Sequence, residues 1–154
     1  MGEMLITIVI IVNLIFLFLY FVIPKNKRRS FPGKEEDIFR YLNTLEKSDL
    51  SDAYLIISAS KTDNFVQVTV NSEGFRLNVP RIPDRQKEME KSFRNTAEKL
   101  SLKIDEDAFT DDKNSFPGVD LKGSLEEVSA VIKKVLSGMY GVTEGSALEF
   151  EINA

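Results

Sequence analysis

Hydrophobic and polar positions along this chain follow three different rhythms, and each predicts a different kind of element. From Met4 to Ile23 there is no rhythm at all: 20 residues run without a charge, interrupted only by Thr7, Asn13 and Tyr20. A helix of that run is about 30 Å long at ~1.5 Å per residue, the thickness of a bilayer's hydrocarbon core. It is apolar on every side, and a small domain has no interior deep enough to hide it. A cleaved signal peptide fits less well. No basic residue precedes the run, and Val22-Ile23-Pro24 offers no small-residue cleavage pattern. The expectation is a single transmembrane anchor over residues 1–24. Lys25, Lys27, Arg28 and Arg29 follow it in a basic juxtamembrane linker, residues 25–33. The positive-inside rule then puts the remainder in the cytoplasm, beneath the inner membrane.

Beyond the linker the periods alternate between helix and strand. Ser30-Phe31-Pro32-Gly33 reads as a break. Lys34–Lys47 places Ile38, Leu42 and Leu45 on one helical face, with Glu35, Glu36 and Asp37 in its first turn, where the helix dipole favours acids. Tyr54–Ser60, Phe65–Val70 and Phe75–Val79 read as strands joined by the turns Lys61–Asn64 and Asn71–Gly74. Connections this short make antiparallel neighbours. Pro80-Arg81-Ile82-Pro83 formally matches P-x-x-P, but both prolines fall at element boundaries, so it reads as a rigid connector.

Asp84–Leu100 carries Met89, Phe93, Ala97 and Leu100 at helical spacing. A short strand at 102–104, an acidic loop at 105–115 and a strand at 116–122 follow. Ser124-Leu125-Glu126-Glu127 is a capping box that opens a helix ending near Gly138 and Gly141. Leu148, Phe150 and Ile152 alternate with Glu149 and Glu151 in a last strand. The predicted fold class is α+β: an N-terminal single transmembrane helix, then one small domain, residues 34–154, mainly antiparallel sheet with about three helices. The expected order is α-β-β-β-α-(β)-β-α-β.

Composition narrows the chemistry. The 154 residues hold no His and no Cys, which removes the commonest general base, thiolate nucleophiles and Cys-based zinc sites. Setting aside residues 1–29, with their four basic residues and Glu3, turns a balance of 20 basic against 24 acidic into 16 against 23. The domain is acidic, which disfavours nucleic acid as a partner and favours a basic protein surface. Ser58 and Ser60 have no histidine to activate them. The acids Asp105, Glu106, Asp107, Asp111 and Asp112 miss the EF-hand template, because Phe109 and Thr110 stand where a ligand and a glycine belong. No enzyme activity, cofactor or metal is expected.

What remains is surface. Alternation places Tyr54, Ile56, Phe65, Gln67, Thr69, Arg76 and Asn78 on the outer face of the sheet, a mixture typical of protein interfaces, the alternative being that another helix covers this face. The expected partner-contacting residues are Tyr54, Phe65, Gln67 and Arg76, with the acidic loop residues Asp105, Glu106, Asp107, Asp111 and Asp112.

One resemblance bears on function. Val66–Val70, Phe75–Pro80, the Lys/Glu-rich helix after them and Gly118-Val119-Asp120-Leu121 leading into the Ser124–Tyr140 helix are similar to the TriTu family, immunity proteins of bacterial Rhs-type polymorphic toxins. Membership implies a non-catalytic inhibitor that occludes the active site of an ADP-ribosyltransferase toxin acting on elongation factor Tu. The partner would then be a toxin domain with a basic surface. An assembly or scaffold subunit of a bacterial membrane complex is the alternative.

Overall fold

The computed structural model describes residues 30–59, 64–79, 86–110 and 115–154, with the backbone alone at 86–87, 107–110 and 115–116. Its elements in chain order are β1 (Ser30–Lys34), a 3-10 turn (Glu35–Asp37), α1 (Ile38–Glu46), β2 (Tyr54–Ser58), β3 (Phe65–Asn71), β4 (Gly74–Asn78), α2 (Gln86–Lys99), β5 (Ile104–Thr110), β6 (Ser115–Leu121), α3 (Leu125–Tyr140) and β7 (Ala147–Asn153). The seven strands form one sheet in the order β1-β7-β2-β3-β4-β6-β5, and every neighbouring pair is antiparallel.

Period-two alternation decides which face is buried. Leu55, Ile57, Val66, Val68, Phe75, Leu77, Val119, Leu121, Leu148 and Phe150 point to one face and are buried. Ile38, Leu42 and Leu45 of α1, Met89 and Phe93 of α2, and Val128, Ile132, Val135 and Leu136 of α3 complete the same apolar cluster. All three helices therefore lie on one side of the sheet. Val70 shares that face but is 41 % exposed.

Local chemistry sets the joints. Ser124 Oγ accepts the Glu127 N–H, and Glu127 Oε2 accepts the Ser124 N–H at 2.8 Å, so the capping box starts α3. The β3–β4 hairpin closes with Asn71 opposite Gly74 and the Glu73 N–H donating to Asn71 Oδ1. Gly74 has φ +138°, and a Cβ there would lie 2.7 Å from the Leu121 carbonyl oxygen. Only glycine fits.

Three sequence expectations need correction. The first is the transmembrane helix. Among the described residues no helix is long and apolar enough to cross a membrane, and the expected span at 4–23 lies outside them. The inner-membrane placement and cytoplasmic orientation drawn from that span are withdrawn with it. Second, Ser30–Lys34 is a strand, not a linker break. It pairs with β7 at the sheet's edge, where Pro32 and its missing N–H are tolerated. Third, the acidic loop is largely a strand. Ile104 pairs with Val119 and Thr110 with Ser115, around an irregularity between Asp105 and Phe109. Pairing with β6 outweighs the low strand propensity of Asp and Glu. Pro80–Pro83, Asp111 and Asp112 lie outside the described residues.

Candidate functional site: the outer face of the sheet

With the helices gathered on one side, the other side of the sheet carries no helix among the described residues. Its side chains fall into cross-strand rows. One row crosses all seven strands: Ser30, Glu151, Ile56, Gln67, Asn78, Gly118, Asp105. A second runs Asn153, Tyr54, Thr69, Arg76, Asp120, and a third runs Pro32, Glu149, Ser58, Phe65. At ~4.8 Å per strand the face is about 29 Å wide, and five residues of strand give it about 17 Å of height. That footprint is of the order one partner brings to a protein–protein interface.

The two halves of this face differ electrostatically. On β4, β6 and β5 the carboxylates are held by an arginine. Arg76 Nε donates to Asp120 Oδ1 at 2.8 Å, and its terminal nitrogen donates to Oδ2 at 3.1 Å. The same terminal nitrogen lies 3.8 Å from Asp105 Oδ2. Asn71 Nδ2 also donates to Asp120 Oδ1, at 3.2 Å. The bond from Arg76 holds the Asp120 carboxyl below the usual carboxylate range, and Asn71 adds to it. In return Asp120 holds the Arg76 proton more firmly than usual. Lys122 pairs with Glu73 beside them. Glu106, next to Asp105 in the strand, is tied to Arg94 of α2 by two bonds of 2.7 and 2.9 Å. Edge strand β5 is thus gripped through successive acids by two arginines from different elements.

On β7, β2 and β3 acids meet aromatic and aliphatic groups instead. Glu149 and Glu151 of β7 flank Tyr54, Ile56 and Phe65, all of them half-buried. The Tyr54 hydroxyl donates to Glu151 Oε1 at 3.0 Å, which orients both side chains. From α3 the Tyr140 hydroxyl donates to the Phe65 carbonyl oxygen at 2.9 Å and fixes the start of β3.

The structure sorts the expected interface residues accordingly. Tyr54, Phe65 and Gln67 share the face with Arg76 and Asp105. Arg76 and Asp105 are engaged in the network that joins β4, β5 and β6. Glu106 is committed to Arg94. Asp107 lies in β5, with its side chain outside the description, and Asp111 and Asp112 lie outside the described residues. Asn78, expected on the surface, is only 3 % exposed, and its Oδ1 has no hydrogen-bond partner. Glu149 and Glu151 were missed. Their alternation with Leu148, Phe150 and Ile152 was visible, but the seating of β7 between β1 and β2 was not. Among the described residues no group of three or more acids is placed to hold a metal ion.

The chain matches no protein-family model, no curated protein and no solved structure. The likeness to the TriTu immunity family thus gains no support, and toxin inhibition is not carried forward as a property of this protein.

Proposed function

We propose that this chain is a protein-binding domain that docks a basic protein surface on the outer face of its sheet, chiefly on the half formed by β7, β2 and β3. One observation carries the reading. Three helices cover one face, leaving Tyr54, Ile56 and Phe65 interleaved with Glu149 and Glu151 on the other. Aromatic and aliphatic groups supply area to bury. The carboxylates select a cationic partner and steer its approach. A net excess of seven acids over residues 30–154, 23 against 16, extends that selection over the whole domain. The proposal concerns binding alone; toxin neutralisation and membrane-complex scaffolding draw nothing from the comparisons.

The test is a titration of the full-length protein with a labelled Lys/Arg-rich peptide and with its Asp/Glu-rich counterpart, followed by fluorescence anisotropy. The basic peptide should bind and the acidic one should not. Reversing Glu149 and Glu151 to Lys should weaken binding by about tenfold or more, while reversing the exposed Glu126 and Glu144, away from this face, should change it far less. Equal losses from both pairs would show attraction to overall charge alone and defeat the proposal.

A further inference from the structure

The groove between α2 and α3, on the side of the domain away from the outer face, has a chemistry of its own. The two helices meet where Thr96 abuts Gly138. Beside that contact lies a cavity of about 350 Å³, lined by Asn95, Thr96, Lys99, Lys134, Ser137 and Gly138, with Ser92 and Leu100 at its margin. Among the described residues no carboxylate lines it. Cavities elsewhere on the domain carry acids: Glu35, Glu36 and Glu144 beside the 3-10 turn, and Asp105, Glu106 and Asp120 along the β5 edge. Residues 30–154 hold 23 acids against 16 bases, so a cavity bounded by two ammoniums and no acid stands apart from its surroundings.

The hydrogen bonding of the groove is also one-sided. Gly138 carries one of the last four carbonyls of α3, which have no partner within the helix. The Ser92 hydroxyl donates to it at 3.2 Å, so this acceptor is already occupied. The Thr96 hydroxyl donates in the same way to the Ser92 carbonyl oxygen at 2.9 Å. The Lys99 and Lys134 ammoniums have no ion pair with any described residue, and the Asn95 and Ser137 side chains have no hydrogen bond to one. Occupied acceptors and uncommitted donors suit an anion.

We infer that this groove binds a phosphoryl group, either free phosphate or the phosphate end of a small monoester. Two lysines match the charge of about −1.5 to −2 that a phosphate monoester carries at neutral pH. A carboxylate would balance only one of them. The Ser137 hydroxyl and the Asn95 amide add neutral donors for the remaining oxygens. Gly138, with no side chain, leaves the floor open to the ligand. The volume lies at the lower end of the range for small-molecule sites, which suits a metabolite. The site is independent of the proposed protein-binding face, and neither needs the other.

The experiment is an NMR titration of the ¹⁵N-labelled full-length chain with sodium phosphate, with ribose 5-phosphate and with acetate, all at constant ionic strength. Both phosphates should shift the backbone amides of Asn95, Lys99, Ser137 and Gly138 saturably, and acetate should not. Tighter binding of ribose 5-phosphate would assign the site to a monoester, and equal or weaker binding to free phosphate. Lys99→Gln with Lys134→Gln, both at exposed positions, should weaken binding by about tenfold or more. Lys47→Gln with Lys122→Gln, away from the groove, should change it less than twofold. Shifts that never saturate, an equal response to acetate, or equal losses from the two pairs of substitutions would mean general attraction to surface charge and overturn the site.

Discussion

Gly138 of α3 packs against Thr96 of α2 so closely that a Cβ at Gly138 would lie 2.5 Å from Thr96 Oγ1 and 2.8 Å from its Cγ2. Ser92, one turn earlier on α2, donates its hydroxyl to the Gly138 carbonyl oxygen at 3.2 Å. A glycine near the C-terminus of a helix reads from sequence as part of its stop signal. Here it lies inside α3, and its use is to let two helices approach. Gly141, with φ +68°, makes the stop.

Gly138→Ala should therefore destabilise the domain. Overpacking costs about 1–3 kcal/mol, and the gain in helix propensity returns about 1 kcal/mol. A net loss of up to about 2 kcal/mol is expected in chemical denaturation. In a Thr96→Ala background the two nearest atoms are gone, and the same substitution should lose at least half its penalty. An equal penalty in both backgrounds would mean that the helices are not this close.

The bond between Arg76 and Asp120 sets a pH dependence. Arg76 depresses the Asp120 pKa in the folded state. A depressed carboxyl contributes stability above its unfolded pKa, about 3.9, and that contribution is lost as pH falls through the folded value. Asp120→Asn should cost about 1 kcal/mol or less at neutral pH, since the carboxylate is 38 % exposed and partly screened. The difference from the parent should shrink as pH falls below the ordinary carboxylate range. A difference that is constant with pH would assign the effect to packing.

Asn78 offers a substitution that should stabilise. An unsatisfied buried acceptor costs about 1–3 kcal/mol, and an apolar group of similar shape removes that cost. Asn78→Leu should raise the thermal midpoint, whereas Asn78→Asp, which buries a charge at the same position, should lower it. Differential scanning calorimetry on both variants decides the matter, and a lowered midpoint for the Leu variant would show that Oδ1 is satisfied in solution.

Arg94 and Glu106 tie the edge strand β5 to α2. Both are about half exposed, at 48 % and 51 %, so their bond is worth at most about 1 kcal/mol. Arg94→Ala should leave global stability nearly unchanged and speed amide exchange in β5 by up to about fivefold, while the amides of β2 and β3 keep their protection. Uniform acceleration across the sheet would point to global destabilisation.

These features divide by how local their causes are. The α3 capping box and the clean alternation of Phe65–Val70 depend on neighbours within a few residues, and both were legible. β1 was not, because Ser-Phe-Pro-Gly-Lys has little strand propensity and owes its conformation to β7, more than a hundred residues away. The same holds for Asp105-Glu106-Asp107, whose charges read as loop until β6 and the two arginines are in place. The site followed this division. Tyr54, Phe65, Gln67 and Arg76 came from alternation within strands. Glu149 and Glu151 required knowing that the last strand inserts between the first two. Asn78 carried no sequence mark that would separate it from an ordinary exposed asparagine.

The split between aromatic and acidic groups on the outer face predicts a split in binding kinetics. Glu149 and Glu151 act at a distance, so neutralising them with Glu149→Gln and Glu151→Gln should lower the association rate for a basic peptide and flatten its dependence on salt, with less effect on dissociation. Phe65 acts only on contact. Phe65→Ala should raise the dissociation rate and leave the salt dependence unchanged, at a cost of about 1–2 kcal/mol in affinity, the range in which interface anchors start. Tyr54→Phe does something different again. It keeps the ring but releases the Glu151 carboxylate from its hydroxyl donor. The association rate should hold or rise slightly, because the carboxylate loses a competing bond, while complexes lose the fixed orientation and dissociate faster. Stopped-flow association at several salt concentrations separates these outcomes. If Phe65→Ala alters only the association rate, or the Glu pair alters only dissociation, the aromatic groups and the acids of this face do not divide the work in this way.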